Sequence, residues 1–309
     1  MTAKVIGSSV TRLARQRESD LEAVVIPYIH INKFGFIEPF GLLVGIGIAL
    51  GYLLGRRRAR LTGLDPNLCA DGMVWTVVTG FVVAHLVSVI FYFPEKILSD
   101  PLVLLKFWAG ISSFGGFIGG AAGAFIFFKR NNASVLKYAD AIIFGLVPGW
   151  FFGRLGCTIA SDHIGKPTDF VLGFQYPKVF RRTTDGRLLG GTRHNLGFYE
   201  MLYTIVLNAV LYATKGIRPI HGFHPALVLM LYAPVRFALD TLRDEDKLYL
   251  GYTPGQYFAG GMFLFAAGLI LYGIRLRKAG DWPGASAAAQ GSANQPRKAK
   301  AKGKGAKSR

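Results

Sequence analysis

Acidic side chains and cysteines are both scarce in this sequence. Asp and Glu number 18 against 36 Lys and Arg, and only Cys69 and Cys157 are cysteines among 309 residues. These two fall near opposite ends of predicted helices, so we expect no disulfide between them. Residues 1–25 also lack the apolar core of about 7 to 15 residues that a cleavable signal peptide needs. We therefore expect the first apolar run to direct membrane insertion.

Apolar residues dominate the composition. Hydrophobic residues make up 51% of the chain and aromatic residues 13%, with a mean hydropathy of +0.34, which soluble domains rarely reach. This composition predicts an integral membrane protein. The net charge of +18 lies mostly in short clusters between apolar runs, where basic residues fix topology and attract anionic lipids. Because no base-reading motif accompanies these charges, we expect no nucleic-acid partner.

Seven apolar runs are long enough to cross a bilayer as helices, which takes about 20 residues each. We therefore predict an all-α polytopic membrane protein with seven transmembrane helices and a small extracytoplasmic head segment. The runs are 38–55, 72–94, 103–128, 139–155, 196–214, 223–242 and 254–274.

Basic residues follow every odd-numbered run, and such clusters mark cytoplasmic loops. The pattern predicts an extracytoplasmic N-terminus and a cytoplasmic C-terminus. The basic residues are Arg56, Arg57, Arg58, Arg60, Lys129, Arg130, Lys137, Lys215, Arg218, Arg275, Arg277 and Lys278.

Three segments flank or interrupt the seven-helix domain, which we predict to span 38–278. Residues 1–37 form a polar segment that we expect outside the cell membrane, and residues 279–309 form a basic tail that we expect to be disordered in the cytoplasm. Residues 162–195 break the charge rule, because this predicted external segment holds six Lys and Arg residues. Two interpretations stay open: a solvated loop or small hairpin domain, and an anion-binding lid.

Glycines recur at i+4 spacing in the third run, at Gly115, Gly119 and Gly123. Small residues at this period let two helices approach closely, and we favour this structural interpretation. A second interpretation is that the glycines leave room for a lipid headgroup or acyl chain.

Ionisable residues in or beside apolar runs are costly to bury, so they mark candidate sites. Each also has a structural interpretation: a neutralising pair within one helix, an arginine that reaches the membrane interface, or a packed histidine. One group has i, i+4, i+8 spacing and therefore shares a helical face. The stretches contain Arg154, Asp162 and His163; Arg193, His194, Tyr199 and Glu200; Tyr232, Arg236 and Asp240; and His85.

Arginines from three separate segments are predicted to converge in the outer half of the membrane. A guanidinium group binds phosphate through two parallel hydrogen bonds and keeps its charge, so this cluster suits an anionic phospholipid headgroup. A transporter that lines an anion path with the same arginines is a weaker alternative, since we find no broken-helix repeat.

These stretches resemble, in consistent order from about residue 38 to residue 278, the motifs of the bacterial prolipoprotein diacylglyceryl transferases. GRLGCTIASDHIG resembles the signature Gly-Arg-x-Gly-Asn-Phe-x-Asn-x-Glu-x-x-Gly, RHNLGFYE resembles Arg-His-Pro-x-Gln-x-Tyr-Glu, and YAPVRFALD resembles Tyr-x-x-x-Arg-x-x-x-Glu. The segments FGLLVGIGIALGYLLGRRRA, SDPLVLLKFWAGISSFGGFIGG and TPGQ are also similar to family segments. Seven spans with an external N-terminus is the family topology.

The resemblance implies roles for the matching residues. Three arginines would hold the lipid phosphate, two aspartates would orient them, and His194 is the preferred base for the acceptor thiol. The implied catalytic residues are Arg154, Arg236, His194, Tyr199, Glu200 and Tyr232. The implied headgroup-binding residues are Arg154, Arg193, Arg236, Asp162, Asp240, Gly156 and Gly165.

Several family positions hold other residues in this chain. Phe114 stands at the histidine of a His-Gly-Gly motif, and it supplies neither a base nor a hydrogen-bond donor. A thiol with an ordinary pKa of about 8.5 needs a base or a cationic environment, so His163, His194 or His85 is expected to compensate. The remaining replacements are Cys157 and Ala160 for asparagines, Asp162 and Asp240 for glutamates, and His85 for an arginine.

The resemblance implies an inner-membrane enzyme that moves the diacylglyceryl group of phosphatidylglycerol to the lipobox cysteine of prolipoproteins. Its partners would be phosphatidylglycerol, the prolipoprotein signal peptide and membrane lipids. We expect no cofactor and no metal. Two alternatives stay open: a transferase of the same fold with a different acceptor, and a phospholipid-binding protein without catalysis.

Overall fold

The described part of the chain is mostly helical. In this computed structural model the described residues are 26–28, 38–106, 110, 112–182, 188–244 and 248–281. Most of the predicted segments 1–37 and 279–309 therefore lies outside the described residues, and the statements about them stay predictions.

Eight α-helices lie within the described residues. Three of the long ones begin with a proline, at Pro39, Pro66 and Pro254, because the first turn of a helix does not need the missing N–H. The helices are α1 (Pro39–Leu61), α2 (Pro66–Val87), α3 (Pro94–Ser99), α4 (Ser113–Arg130), α5 (Val135–Ala160), α6 (Leu196–Ala213), α7 (Phe223–Asp240) and α8 (Pro254–Lys278).

Five of these helices are long and apolar enough to cross a membrane: α1, α2 with its continuation to Phe91, α5, α6 and α8. The polytopic architecture is therefore supported, while α4 and α7 are not among these five helices, so the prediction of seven spans stays open. The third predicted run began at residue 103, but α4 begins only at Ser113. Pro101–Leu105 forms a short 3-10 turn instead.

The glycines of α4 face helix α2, as the structural interpretation predicted. A Cβ atom on Gly119 would lie 2.4 Å from the Val83 Cβ, and one on Gly123 would lie 1.9 Å from the Thr79 Oγ1. Any side chain at these positions would push the two helices apart, so the glycines set the distance between α2 and α4.

A four-stranded sheet corrects the all-α prediction. Its strands are β1 (Ile26–Pro27), β2 (Ile164–Pro167), β3 (Phe174–Arg182) and β4 (Leu188–Asn195), in the order β1-β3-β4-β2. Strands β3 and β4 pair antiparallel, so the predicted head segment 162–195 contains a hairpin, as one of its two interpretations expected. Alternating aromatic residues of β3 form a small core with Ile164, which explains why this polar segment folds.

The sheet connects the ends of three helices. Helix α5 ends at Ala160, and β2 begins four residues later. Strand β4 continues directly into α6, whose first turn is capped by the Asn195 side chain through the Phe198 N–H at 3.0 Å. Beyond the end of α7, the Leu242 carbonyl accepts a hydrogen bond from the Lys166 N–H at 2.8 Å. The ends of α5 and α7 and the start of α6 therefore meet at one place.

Candidate active site

Glu200 lies at the centre of a buried ion-pair network. Its carboxylate contacts the Arg154 Nε at 2.7 Å and also pairs with the Arg236 guanidinium. The Tyr232 hydroxyl donates to the Glu200 Oε2 at 3.2 Å. Glu200 is 1% exposed, and an unpaired charge at that depth would be costly, so the two arginines and the glutamate stabilise one another.

The predicted face of α7 is confirmed by these contacts. Tyr232, Arg236 and Asp240 lie on successive turns of this helix, and Arg236 Nη2 pairs with the Asp240 Oδ1 at 2.8 Å. Asp240 is also held by the Thr253 hydroxyl at the start of α8. The interpretation of Arg236 and Asp240 as a simple pair is therefore incomplete, because Arg236 joins two carboxylates on two helices.

A cavity of about 320 Å³ lies beside the network. Its polar lining and its apolar lining come from different elements, which makes it suitable for an amphipathic ligand. The charged and polar side chains that line it include Arg154, His163, Tyr232, Arg236 and Arg243. The apolar side chains include Phe114, Phe117, Phe258 and Met262.

Phe114 therefore faces the same cavity as the arginines. Its ring makes an edge-on contact with the Phe258 ring, with 4.8 Å between the centroids. The residue at the family's histidine position thus contributes to the apolar wall, where an acyl chain or an apolar side chain can pack.

Arg243 is a cavity residue that the sequence reasoning missed. It lies three residues beyond α7, and its Nε is 3.8 Å from the Asp240 Oδ1. The signal in the sequence was its spacing of seven residues from Arg236, which places it near the same side of a continuing helical turn.

Arg193 was predicted to bind the phosphate, but its described contacts lie away from the cavity. It lies on β4, where its Nη1 pairs with the Asp244 Oδ2 at 2.6 Å and donates to the Gly165 carbonyl at 3.2 Å. Its Nε donates to the Gly190 carbonyl at 3.0 Å. These contacts connect the sheet to the segment after α7, and Arg193 is not among the residues that line the cavity.

His194 and Tyr199 form a second pair in the sheet region. The His194 Nδ1 and the Tyr199 hydroxyl are 2.8 Å apart, and that hydroxyl donates to the Leu172 carbonyl at 3.2 Å. Burial lowers the pKa of His194 below its ordinary value, because desolvation disfavours the imidazolium. Neither residue is among those that line the cavity. No described contact joins His194 to the cavity arginines, so its role as a base stays a prediction.

The two predicted headgroup glycines occupy crowded positions. A Cβ atom on Gly156 would lie 2.9 Å from the Phe40 ring of α1, and one on Gly165 would lie 2.7 Å from the Leu242 carbonyl oxygen. Their described contacts are packing contacts that let α5 and β2 approach their neighbours, and their predicted binding role stays a prediction.

Asp162 and His163 follow the end of α5, next to Arg154. The Asp162 Oδ1 is 3.5 Å from the His163 Nδ1. Burial lowers the pKa of His163, and the nearby Arg154 and Arg243 charges act in the same direction, while the Asp162 carboxylate opposes them. Among the described residues, His163 is thus the histidine that lines the cavity.

His85 and Gln256 make contacts with the backbone rather than with the cavity network. The His85 ring is fully buried in α2 and contacts the carbonyls of Val103 at 2.8 Å and Gly110 at 3.2 Å. The Gln256 side chain accepts from the Thr253 N–H at 2.9 Å and closes the capping box of α8. Both contact patterns are structural, which agrees with the packed interpretation of His85.

The three guanidinium groups at the cavity suit an anionic ligand. Arg154, Arg236 and Arg243 all line the cavity, and the carboxylates of Glu200 and Asp240 pair with them. In a site with little water, a guanidinium group binds a phosphodiester strongly and stabilises the charge that develops on a departing phosphate.

Comparisons with known proteins point to one family. A family model described as prolipoprotein diacylglyceryl transferase matches residues 28–272. The chain is 34% identical over 248 residues to the phosphatidylglycerol–prolipoprotein diacylglyceryl transferase of Phenylobacterium zucineum (strain HLK1), which covers 73% of this chain and 86% of the relative. It is 32% identical over 249 residues to the transferase of the same name from Bordetella bronchiseptica, which covers 77% of this chain and 92% of the relative. The chain belongs to the prolipoprotein diacylglyceryl transferase family.

Proposed function

We propose that this protein transfers the diacylglyceryl group of phosphatidylglycerol to the lipobox cysteine thiol of prolipoproteins. Its family membership and the names of its relatives support this activity. The same support makes it a multi-pass membrane transferase of lipoprotein biosynthesis in the inner membrane. A different acceptor and a non-catalytic role, the two alternatives from the sequence, gain no such support.

One structural observation carries the proposal: Arg154 and Arg236 share Glu200 at the edge of a cavity that also has an apolar wall. A phospholipid needs both surfaces, because its phosphate is an anion and its glycerol carries acyl chains. The arginines hold the phosphate of phosphatidylglycerol, and Phe114, Phe117 and Phe258 contact the apolar part. Glu200 and Asp240 keep the guanidinium groups in place before the lipid arrives.

The arginines also act on the leaving group. When the acceptor sulfur bonds to the glycerol carbon, the bond from that carbon to the phosphate oxygen breaks and glycerol phosphate departs with a second negative charge. Fixed positive charges beside the phosphate lower the free energy of this transition state, with each donor worth about 100-fold to 1,000-fold in rate. Arg243 adds a third guanidinium group on the same side.

The acceptor thiol must lose its proton in the same cavity. Of the three histidines weighed from the sequence, His163 lines the cavity, whereas His194 bonds to Tyr199 and His85 to backbone carbonyls. We therefore assign the activation of the thiol to the surroundings of His163 and give His194 a positioning role in the sheet.

We also propose the finer topology. Helices α4 and α7 join the five apolar helices as spans, and the sheet forms an extracytoplasmic head. Basic residues close α1, α4 and α8 in their last turns, and the Arg58 Nη2 donates to the Lys215 carbonyl at 2.6 Å. The helix ends that carry basic clusters thus lie on one side of the membrane, and basic clusters mark the cytoplasmic side. The C-terminus is cytoplasmic and the N-terminus external.

The test is complementation of a bacterial strain depleted of its own transferase. The wild-type chain should restore growth and produce precursor with a thioether-linked diacylglyceryl group, detected by mass spectrometry of the N-terminal peptide. The double variant Arg154→Ala and Arg236→Ala should restore neither, at equal abundance in the membrane. If the wild-type chain is abundant in the membrane and no lipidated precursor forms, the proposed activity is wrong.

A further inference from the structure

Three side chains with metal-binding atoms meet at the end of α5. The ligand atoms of Cys157, Asp162 and His163 all lie within 4.8 Å of one another. Sulfur, carboxylate oxygen and imidazole nitrogen are the donors that Zn²⁺ binds in proteins. None of these residues was assigned to a metal from the sequence, where no metal was expected.

The backbone brings the three residues together through a reversal of direction. Cys157 lies in the last turn of α5, and Ser161 after it has a φ of 50°, a left-handed conformation that non-glycine residues adopt rarely. This residue turns the chain back, so that Asp162 and His163 come to lie against the helix they have just left. The cluster is thus built by the local fold rather than by a flexible loop.

The Nδ1 atom of His163 is buried and has no hydrogen-bond partner among the described residues. It lies 3.5 Å from the Asp162 Oδ1. Two ligands of a tetrahedral Zn²⁺ at about 2.0–2.3 Å from the metal are about 3.3–3.7 Å apart. The pair already has this separation, and the Cys157 sulfur, which lies within 4.8 Å of both ligand atoms, has to approach by at most about 1 Å.

We propose that Cys157, Asp162 and His163 bind a zinc ion whose fourth position faces the cavity beside Arg154. Of the three ligands, His163 lines that cavity, so the open position would be reached from the cavity on the His163 side. Three protein ligands with one open position are the pattern of catalytic rather than structural zinc sites.

The occupied cluster would be close to neutral. A divalent cation offsets the Asp162 carboxylate and the thiolate that Cys157 forms on binding a metal, so the bound cluster adds no net negative charge beside the phospholipid phosphate. The adjacent Arg154 donates from its Nη1 to the Cys157 sulfur at 3.9 Å and also pairs with Glu200, whose carboxylate offsets part of the repulsion between this guanidinium group and a metal ion.

This inference rests on the proposed function for its role in catalysis. The lipobox cysteine takes the open position as a thiolate and releases its proton to solvent, since metal binding deprotonates a thiol. Its sulfur lone pair then bonds to the glycerol carbon of phosphatidylglycerol, the bond from that carbon to the phosphate oxygen breaks, and the electron pair leaves with glycerol phosphate. Zinc thereby supplies the activation that Phe114 does not.

Metal binding is tested first on the full chain, purified in detergent from membranes. Elemental analysis after dialysis should find about one zinc per chain, and Co²⁺ replacement should give the thiolate-to-cobalt charge-transfer band of a sulfur ligand. Cys157→Asn, Asp162→Asn and His163→Gln should each weaken Zn²⁺ binding by at least about tenfold. Cys69→Ser is the matched control, because Cys69 is buried in a separate hydrophobic cluster and should leave both signals unchanged.

Two results overturn the metal site. One is a wild-type chain that holds no stoichiometric zinc and gives no cobalt band, and the other is unchanged binding in all three variants.

Chelation and activity separate this inference from the proposed function. If the metal-free chain transfers the diacylglyceryl group at the full rate, the zinc role is wrong and the function stands. If the zinc-loaded chain binds metal through Cys157 but lipidates no precursor, the site stands and the proposed function is wrong.

Discussion

Two groups of polar and charged side chains near the start of α6 both contain arginine but use it for different purposes. The cavity group consists of Arg154, Glu200 and Arg236, and its guanidinium groups line a cavity. The sheet group consists of Arg193, His194 and Tyr199, and its polar atoms bond to Asp244, to each other and to backbone carbonyls. The guanidinium groups of Arg154 and Arg236 present N–H donors to the cavity, whereas the described hydrogen bonds of Arg193 go to Asp244 and to backbone carbonyls.

Residues of one family motif therefore have different roles: some face the ligand cavity, and others hold neighbouring side chains in position. Glu200 and Tyr199 are adjacent in the sequence, yet the glutamate holds the arginines and the tyrosine holds His194. Successive residues of a helix point about 100° apart, so one turn of α6 can serve two places. We therefore expect substitutions in the cavity group to abolish transfer and substitutions in the sheet group to weaken stability.

The largest effect is expected for Glu200→Ala. The substitution leaves two buried guanidinium groups without their shared carboxylate, which costs about 3–5 kcal/mol of unfolding free energy. Thermal unfolding in detergent should shift strongly downward, and transfer should be lost. Glu95→Ala, at an exposed position of α3, is the control and should change neither quantity. A Glu200→Ala protein with wild-type unfolding would show that the network does not stabilise the fold.

Arg154→Lys should cost the next most activity. Lysine keeps the positive charge but has a single ammonium group, which cannot bond to Glu200 and to a phosphate through two parallel hydrogen bonds. Transfer by membranes that contain the variant should fall at least about 100-fold with the protein level unchanged. Arg57→Lys, at an exposed position in α1, should leave transfer unchanged. Activity within a factor of a few of the wild type would contradict phosphate binding by Arg154.

Arg193→Ala should affect stability more than transfer. Its bond to Asp244 joins two largely buried side chains, and a hydrogen bond between charged groups contributes about 1.5–3 kcal/mol. Thermal unfolding should move by a corresponding amount, and Asp244→Ala should cause a similar loss that does not add to the first. Transfer should fall less than about tenfold in both variants. A 100-fold loss of transfer with normal unfolding would move Arg193 into the phosphate site.

Helical spacing made part of this site predictable. Tyr232, Arg236 and Asp240 share a face because their period matches that of an α-helix, and the glycines of α4 pack on α2 for the same reason. The separation of Glu200 from Tyr199 was not predictable, because it depends on how α6 is rotated relative to α5 and α7. A small hairpin domain was one of two interpretations of residues 162–195, but the four-stranded sheet was not predicted, because its strands are short and rich in charge and glycine and its small core forms only when distant segments meet.

The smallest effect is expected for His194→Gln. In this structure the Tyr199 hydroxyl lies 2.8 Å from the His194 Nδ1, and a glutamine can still donate a hydrogen bond to it. The free energy of unfolding should therefore fall by about 1 kcal/mol or less. If His194 has a positioning role, transfer should stay within about tenfold of the wild type, and its pH profile should not move. His163→Gln, which removes a cavity-lining imidazole, should reduce transfer far more in the same assay. The reverse order of the two variants would make His194 the base and would remove the distinction between the cavity group and the sheet group.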